Sequence, residues 1–313
     1  MVDIQDIQAA RERIGGRIHR TPVFSATMLG RMAGVRLSLK AELFQKTGSF
    51  KVRGVLNHLL QLPPASLSRG LITLSAGNHG AALAWAAAVC QTHATVVMST
   101  TAVKSKVAAI KEYGGEVVQT EENLLEETHR IRDARGLTLV HPFDDPAIIA
   151  GQGTIGLEIL EDVPDADMVI VPVGGGGLIA GIAAAIKGCR PSTKVIGVEP
   201  SGSDVMIRSL QAGRPLKMDR SSTVADGLAA PFAGELTLPH VQKFVDQVVR
   251  VDDDAILQAL RLTLERAKLA AEPAGAAAFA ALLARAAPVE PDAHVVCVVS
   301  GGNVDPAVLK RVL

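Results

Sequence analysis

The segment from Gln45 to Gly54 places a lysine where a polar turn gives way to an apolar run with helical spacing. Ser49 has a side chain suited to cap a helix, which predicts that Lys51 lies in the first helical turn. The partial positive charge of a helix N-terminus disfavours an ammonium, and burial adds to that effect. We therefore expect Lys51 to have a lowered pKa and an amine able to form a Schiff base. A surface lysine on a capped helix would have the same local sequence.

Four consecutive glycines, Gly174, Gly175, Gly176 and Gly177, separate a β-branched run from an Ala-rich run. Backbone N–H groups of such a turn can converge on a phosphate at the N-terminus of the following helix. Close packing of the turn would explain one or two glycines but not four, so we predict an anion site.

The same glycines fit a dinucleotide-binding fingerprint, Gly175-x-Gly177-x-x-Ala180, with Glu199 about 20 residues further on. An NAD-dependent oxidoreductase is therefore an alternative prediction. Against it, the fingerprint lies past the middle of the chain, whereas it usually opens the first βαβ unit of a dinucleotide domain.

Two further turns follow predicted strands, at the end of the sheet where α/β proteins bind ligands. The turn from Ser75 to Gly80 can offer N–H groups, a hydroxyl and an amide to a carboxylate. The turn from Ser300 to Asn303 begins with a hydroxyl that could bond a heterocyclic nitrogen. Each turn alone is equally explained as a helix cap.

Composition excludes several classes of protein. Lys plus Arg equals Asp plus Glu, at 32 each, and aromatic residues are only 3%, which argues against a nucleic-acid groove. The uncharged stretch from Met168 to Ile186 contains Pro172 and the glycines, which favours a buried strand, turn and helix over a membrane span. The three separated cysteines predict reduced core residues in a cytoplasmic protein, and the lack of a Cys/His cluster predicts no zinc site.

Strand-like and helix-like segments alternate along the chain, which predicts an α/β fold of two doubly wound domains with parallel-type sheets. We expect residues 42–145 to form a small domain that carries Lys51 and the carboxylate turn. Residues 1–41 and 146–313 would form a large cofactor-binding domain. The last segment ends near Leu313, so we expect no separate effector domain and no inhibition by isoleucine.

A lysine nucleophile, a phosphate cradle, a carboxylate cradle and a hydroxyl for a ring nitrogen are together what pyridoxal 5'-phosphate and an amino-acid substrate require. The sequence resembles the fold-type II pyridoxal-phosphate enzymes with a tryptophan synthase β-like fold, in the branch of threonine dehydratases and serine racemases. The resemblance extends nearly end to end. Its marks include the Lys51 segment, Ser75 to His79, His141 to Pro146, Ala150 to Thr154, Gly174 to Gly177, Ala225 to Gly227, Glu272-Pro273 and Ser300 to Asn303.

The resemblance implies a role for each matching residue. Lys51 would hold the cofactor and remove the α-proton of the substrate, and Phe50 would lie against the pyridine ring. Asn78 would bond the ring hydroxyl, and Ser300 would leave the ring nitrogen unprotonated. The glycines would hold the phosphate, and the substrate carboxylate would be surrounded by Ser75, Ala76, Gly77, Asn78 and His79. A homodimer is also expected, because dimers are common in this family.

Two departures from the family pattern bear on activity. Racemases of this branch carry a serine at the position of Ala76, and alanine cannot transfer a proton. Some relatives bind a cation through a glutamate and an aspartate six residues on, but Glu199 is followed at that spacing by Val205, so we expect no metal.

We therefore predict β-elimination from a β-hydroxy amino acid, threonine or serine, to a 2-oxo acid and ammonia. A serine racemase and a dehydratase of hydroxyaspartate or phenylserine remain alternatives within the family. A non-catalytic binding module would leave Lys51 unexplained.

Overall fold

The computed structural model describes residues 1–75 and 77–313, which form two β-sheets with helices packed against them. The larger sheet has six strands in the order β1-β2-β10-β7-β8-β9. All neighbouring strands are parallel except β1, which pairs with β2 in antiparallel register. The strand bounds are β1 Val23–Ser25, β2 Arg36–Ala41, β7 Met168–Pro172, β8 Lys194–Pro200, β9 Gln247–Val251 and β10 His294–Val299.

The smaller sheet has four parallel strands in the order β5-β4-β3-β6. Its central strands, β3 and β4, are almost entirely buried and half of their residues are β-branched, as expected for a parallel sheet covered on both faces. The strand bounds are β3 Leu71–Leu74, β4 Ala94–Ser99, β5 Glu116–Thr120 and β6 Thr138–Leu139.

Fourteen α-helices occur in the described residues, and most connect parallel strands. They are α1 Ile4–Ile14, α2 Thr27–Ala33, α3 Lys51–Leu59, α4 Pro64–Arg69, α5 Asn78–Val89, α6 Lys104–Glu112, α7 Leu124–Arg135, α8 Pro146–Asp162, α9 Gly177–Cys189, α10 Val205–Ala212, α11 Thr237–Phe244, α12 Asp253–Leu262, α13 Pro273–Leu283 and α14 Pro306–Val312. None of the helices in this part of the chain is both long enough and apolar enough to cross a membrane.

Helix α8 packs closely against both α3 and α9 because small residues line the contacts. A Cβ added at Gly151 would lie 2.6 Å from the carbonyl oxygen of Arg53, and one added at Gly181 would lie 2.2 Å from that of Ile149. These contacts leave no room for a side chain at either position. The close packing fixes the helix that begins at Lys51 against the large sheet's helices.

A group of fully paired, buried charges anchors α3 through Arg53. We call Lys40, Glu42, Arg53 and Glu158 the buried ion cluster, and none of these residues is more than 7% exposed. The Arg53 guanidinium donates to both oxygens of Glu42 at 2.8 Å, and to those of Glu158 at 2.7 and 2.9 Å. Lys40 Nζ donates to Glu158 at 2.6 Å and to the carbonyl oxygen of Thr21 at 2.7 Å. Two positive and two negative charges therefore balance inside the protein.

The prediction of an α/β fold with parallel-type sheets is confirmed, and two local predictions are wrong. Lys51 is the first residue of α3, but Ser49 does not cap the helix; the N-cap position is Phe50, and no side chain bonds there. Ser49 instead lies in an isolated bridge to Gly301. Asp252 and Asp253 are acidic residues suited to a helix start, and the sequence predicts one long helix from Asp252 to Leu269. The α-helix instead ends at Leu262, where a π-helical turn follows, and Lys268 adopts a left-handed conformation with φ of 60°.

Candidate active site

The segment that carries Lys51 is joined to the end of β10, some 250 residues away in sequence. Ser49 forms its bridge to Gly301, and the Phe50 N–H donates to the carbonyl oxygen of Ser300 at 3.1 Å. The Gly302 N–H donates to the carbonyl oxygen of Gly48 at 2.9 Å. These backbone bonds bring the predicted lysine and the predicted ring-nitrogen partner to the same place.

The Lys51 amine lies in a partly enclosed environment. Its Nζ donates to the carbonyl oxygen of Pro142 at 2.9 Å and lies 5.1 Å from the centre of the Phe50 ring. Burial lowers the pKa of Lys51 to about 8, although the negative charge of Glu272 acts in the opposite direction. The lowered pKa agrees with the expectation from the sequence, since an amine must be neutral to act as a nucleophile or a base.

Lys51 faces a cavity of about 810 Å³ between the carboxyl ends of the two sheets. Every described residue that the sequence suggested for cofactor or substrate lines this cavity: Phe50, Lys51, Ser75, Gly77, Asn78, His79, Gly174, Gly175, Gly176, Gly177 and Ser300. Ala76, predicted from the same turn, lies outside the described residues.

The glycine turn between β7 and α9 is more tightly packed than the sequence suggested. A Cβ at Gly175 would lie 2.4 Å from the Phe143 ring, and one at Gly177 would lie 2.8 Å from the carbonyl oxygen of Phe143. Gly176 has a φ of 94°, which side-chain-bearing residues rarely adopt. Packing and conformation therefore require glycine at three of the four positions, contrary to our expectation of one or two. The turn still opens α9 and faces the cavity, so its N–H groups can meet an anion there.

The carboxylate turn is held by its own serine. Ser75 Oγ accepts hydrogen bonds from the N–H groups of Gly77 at 3.0 Å and Gly80 at 2.9 Å. Both lone pairs of the hydroxyl oxygen are thereby used. Ser75 shapes the start of α5, whose first-turn N–H groups cannot be bonded by an earlier turn of the same helix.

Two histidines of the cavity are neutral and have defined tautomers. His79 Nε2 lies 3.2 Å from the carbonyl oxygen of Val140, which can only accept, so Nε2 carries the proton. Burial keeps the pKa of His79 well below its ordinary value, and Nδ1 is then an acceptor without a protein partner among the described residues. Its side chain is therefore unsuited to bond a carboxylate, which also only accepts. His141 Nδ1 accepts the Asp144 N–H at 2.8 Å, which leaves its proton on Nε2.

Comparisons with known proteins agree with this geometry. The family model described as "Pyridoxal-phosphate dependent enzyme" matches residues 14–301. The chain belongs to that family. It is 41% identical to the L-threonine ammonia-lyase of Thermotoga maritima, over 100% of this chain and 78% of the relative. It is 40% identical to the serine racemase of Oryza sativa subsp. indica, over 98% of this chain and 92% of the relative. The solved structure of maize serine racemase superposes with a TM-score of 0.94 at 40% identity, covering 99% of this chain and 96% of that one.

The cofactor of this pyridoxal-phosphate enzyme is therefore pyridoxal 5'-phosphate, as the motifs predicted, and the residues of the cavity fit it. A neutral amine is available at Lys51 for the aldehyde, and the glycine turn at the start of α9 is available for the phosphate. Ser300, at the end of β10, lines the cavity with a weakly acidic hydroxyl that could bond the ring nitrogen without protonating it. The alternative prediction of a nicotinamide cofactor is not supported.

A polar relay that sequence reasoning missed fixes the orientation of Asn78. Asn303 Nδ2 donates to the carbonyl oxygen of Thr47 and to Asn78 Oδ1, both at 2.8 Å. Asn78 Nδ2 in turn donates to Glu272 Oε1 at 2.7 Å, which leaves one amide proton for the ring hydroxyl of the cofactor. Burial raises the pKa of Glu272 to about 7, although the Lys106 charge opposes this rise. The sequence marked Asn78, Asn303 and Glu272 as parts of separate motifs, but it did not reveal the contacts between them.

The Glu199 carboxylate, which the sequence raised for a dinucleotide ribose or a cation, is bonded to backbone N–H groups. Its two carboxylate oxygens accept the N–H groups of Met206 and Ile207, both at 2.8 Å, in the first turn of α10. Asp204 lies between Arg208 and Arg250, at 2.6 and 2.8 Å. Among residues 1–75 and 77–313, no group of three or more His, Cys, Asp or Glu side chains could hold a metal ion.

Proposed function

We propose that this enzyme catalyses β-elimination from a β-hydroxy amino acid, L-threonine or L-serine, giving a 2-oxo acid and ammonia. The observation that carries the proposal is Lys51, a lysine with a pKa of about 8 in a cavity shared with the carboxylate turn and the glycine turn. The relatives named L-threonine ammonia-lyase support the same reaction class.

The residues of the cavity divide the work as follows. The bound cofactor supplies an electron sink for the substrate's α-carbon. Lys51 removes the α-proton, since its neutral amine is accessible near pH 8. N–H groups at the start of α5 hold the carboxylate. The bond between the β-carbon and oxygen then breaks, hydroxide leaves and is protonated to water, and the released 2-aminocrotonate or 2-aminoacrylate hydrolyses to the 2-oxo acid and ammonia.

Racemisation is the second candidate, because serine racemases are equally similar to this chain. It requires a second proton-transfer group on the face of the α-carbon opposite Lys51. By sequence, Ala76 has only a methyl group where racemases of the family carry serine. Ser75 is a poor substitute, because its oxygen already accepts two backbone N–H groups. The chemistry of this turn therefore favours elimination.

The proposal is tested by supplying L-serine to the holoenzyme and measuring pyruvate and D-serine together. We expect pyruvate to dominate. D-serine formation at a rate matching that of pyruvate would overturn the assignment in favour of a racemase. The same assay with L-threonine, hydroxyaspartate and phenylserine shows from which β-hydroxy amino acid the 2-oxo acid forms fastest, and so tests the dehydratase alternatives.

The variant Ala76→Ser tests the reason for the preference. We expect it to raise D-serine formation from L-serine while pyruvate formation continues. General acid–base assistance is typically worth about 10²–10⁴-fold, so the gain should be large if the serine is correctly oriented. An unchanged product ratio in a folded, cofactor-loaded variant would show that residue 76 does not decide the outcome.

We further propose a small domain at residues 42–145, flanked by a large domain of residues 1–41 and 146–313. The distribution of strands between the two sheets supports these limits. We also propose a cytoplasmic homodimer with an amino-acid substrate. The cysteines are free, which is compatible with a reducing compartment. The prediction that all three are core residues is wrong, because Cys297 is buried but Cys90 is half-buried and Cys189 is exposed.

Exposed apolar side chains on β1, on α2 and just after β2 support the homodimer. Phe24, Met28, Met32 and Phe44 are 40%, 54%, 49% and 46% exposed, and the rings of Phe24 and Phe44 lie 6.0 Å apart. Sedimentation velocity should show a dimer that Met28→Glu combined with Met32→Glu weakens. A wild-type monomer would refute the proposal.

A further inference from the structure

Gln152 is a buried polar side chain that has no assigned role in the proposed elimination. It lies on α8, is 1% exposed and lines the cavity together with Lys51. Neither Nε2 nor Oε1 has a hydrogen-bond partner among the described residues. Buried side-chain amides are nearly always bonded, because leaving both ends unpaired costs the full desolvation of the group. An unpaired amide buried in the wall of a ligand cavity therefore points to a partner supplied by the ligand.

The position of the amide is fixed by the packing of α8 against α3. A Cβ added at Gly54 would lie 2.4 Å from Gln152 Nε2, so the amide rests on the bare backbone of that glycine. Gly54 follows Lys51 by three residues, which places both on one face of α3. The Gln152 amide therefore lies against the same face of α3 that carries Lys51, and both residues line one cavity.

The chemistry of a carboxamide selects among the groups that could meet it. A phosphate or a carboxylate only accepts hydrogen bonds and would leave Oε1 unpaired. A hydroxyl both accepts and donates, so one hydroxyl can satisfy both ends of the amide. The substrate class of the proposed function has one such group, the hydroxyl on the β-carbon. The unprotonated Nδ1 of His79 is a further acceptor in the same cavity.

We propose that Gln152 binds the β-hydroxyl of the substrate and assists its departure. The inference rests on the proposed elimination. As the bond from the β-carbon to oxygen breaks, the oxygen takes the electron pair, and the Nε2–H hydrogen bond stabilises the charge that develops. Gln152 gives up no proton. The Lys51 ammonium, formed by removal of the α-proton, supplies the proton that completes water, so that Lys51 returns to its starting state.

The leaving group provides the test. In the holoenzyme, Gln152→Leu keeps the size of the side chain and removes both polar atoms. We expect kcat/KM for L-serine to fall by about 10- to 100-fold, the effect of one hydrogen bond strengthened in the transition state. β-Chloro-L-alanine loses chloride, which needs no proton and little hydrogen bonding, and its kcat/KM should change by less than about threefold.

A binding measurement gives a readout that does not depend on turnover. α-Methyl-L-serine and 2-aminoisobutyrate both lack an α-proton and differ only in the hydroxyl. We expect the wild-type holoenzyme to bind the hydroxyl compound more tightly, and Gln152→Leu to bind the two equally. Retention of the wild-type preference in Gln152→Leu would overturn the proposal.

A matched control comes from the same helix interface. Asn57 lies on α3, is 1% exposed, and its amide is paired with Ala147 and Arg13, at 2.7 and 2.5 Å. Asn57→Leu should leave the ratio of the serine and chloroalanine rates unchanged. If Gln152→Leu lowers both rates equally, its role is structural and the proposal fails. If the wild-type enzyme released neither water from L-serine nor chloride from β-chloro-L-alanine, the proposed function itself would be refuted.

Discussion

Helix α3 separates two buried polar regions that are built in opposite ways. Behind Lys51, the buried ion cluster has its guanidinium, its ammonium and both its carboxylates bonded within the protein. In front of Lys51, the cavity is lined by Gln152, His79 and Glu272, each with at least one polar atom lacking a protein partner among the described residues. Polar groups that are fully paired can only hold the fold. Polar groups with unused hydrogen-bonding capacity can bind a ligand.

The carboxylates of the two regions have different pKa values, because one is paired with cations and the other is not. Burial alone would raise the pKa of Glu158, but the Arg53 and Lys40 charges hold it below its ordinary value. Glu272 has no such pairing, and burial raises its pKa to about 7. A paired carboxylate stays ionised at all physiological pH values, whereas the cavity contains groups that titrate near neutrality. Perturbed pKa values of this kind are typical of catalytic sites.

The largest expected effect removes the reactive group of the cavity. Lys51→Ala should lower the rate of pyruvate formation from L-serine by about 10⁴-fold or more, because nucleophile and base are lost together. The free energy of unfolding of this variant should not fall, because the substitution removes a buried amine whose charged form is disfavoured by burial. Activity and urea unfolding of the same preparation check both points. A variant that retains activity would show that Lys51 is not the catalytic amine.

The next effect breaks the paired region. Arg53→Met should lower the free energy of unfolding by about 3–5 kcal/mol, because two carboxylates are left buried without their partner. Urea unfolding of the two proteins measures the difference. The exposed pair of Arg11 and Glu161, 46% and 47% exposed, provides the control: Arg11→Met should cost no more than about 1 kcal/mol. Equal losses in the two variants would contradict the stabilising role of the buried ion cluster.

The sequence predicted the cavity better than the regions around it. Ligand-binding turns in α/β proteins lie at the carboxyl ends of strands, so turns far apart in sequence could be placed together without coordinates. Gln152 was visible in a family motif, but its unpaired state depends on the contact of α8 with Gly54, which no local pattern reveals. The role of Glu272 was missed in the same way, because its partner Asn78 is 194 residues away.

The missed and wrong elements also have physical causes. Strand β1 has only three residues, and its burial pattern is not alternating. Helices α10 and α11 have only eight residues each, which is shorter than the window over which helical periodicity can be recognised. Ser49 has the right side chain for a cap, but its backbone pairs with Gly301, a tertiary contact that overrides the local preference.

A smaller effect concerns the pH dependence of cofactor capture. The Lys51 amine can attack the aldehyde only when it is neutral, so the rate of cofactor uptake by the apoenzyme should rise with pH and level off above a midpoint of about 8. In Glu272→Gln the midpoint should move lower, because the negative charge that favours the ammonium is removed. Absorbance of the bound cofactor, followed at a series of pH values, measures this midpoint. A midpoint near 10.5, the ordinary lysine value, would contradict the burial of the amine.

The smallest expected effect compares two amides in one helix interface. Asn57→Leu removes an amide whose bonds join α3 to Ala147 and Arg13, so it leaves those partners unpaired and should cost about 1–3 kcal/mol of unfolding free energy. Gln152→Leu removes an amide without protein partners, and replacing it by an apolar side chain of similar size should be neutral or stabilising. Urea unfolding of both variants in the apo state measures the difference directly. Equal destabilisation would mean that the Gln152 amide is bonded in the unliganded protein, and the distinction between the paired region and the cavity would no longer hold at this residue.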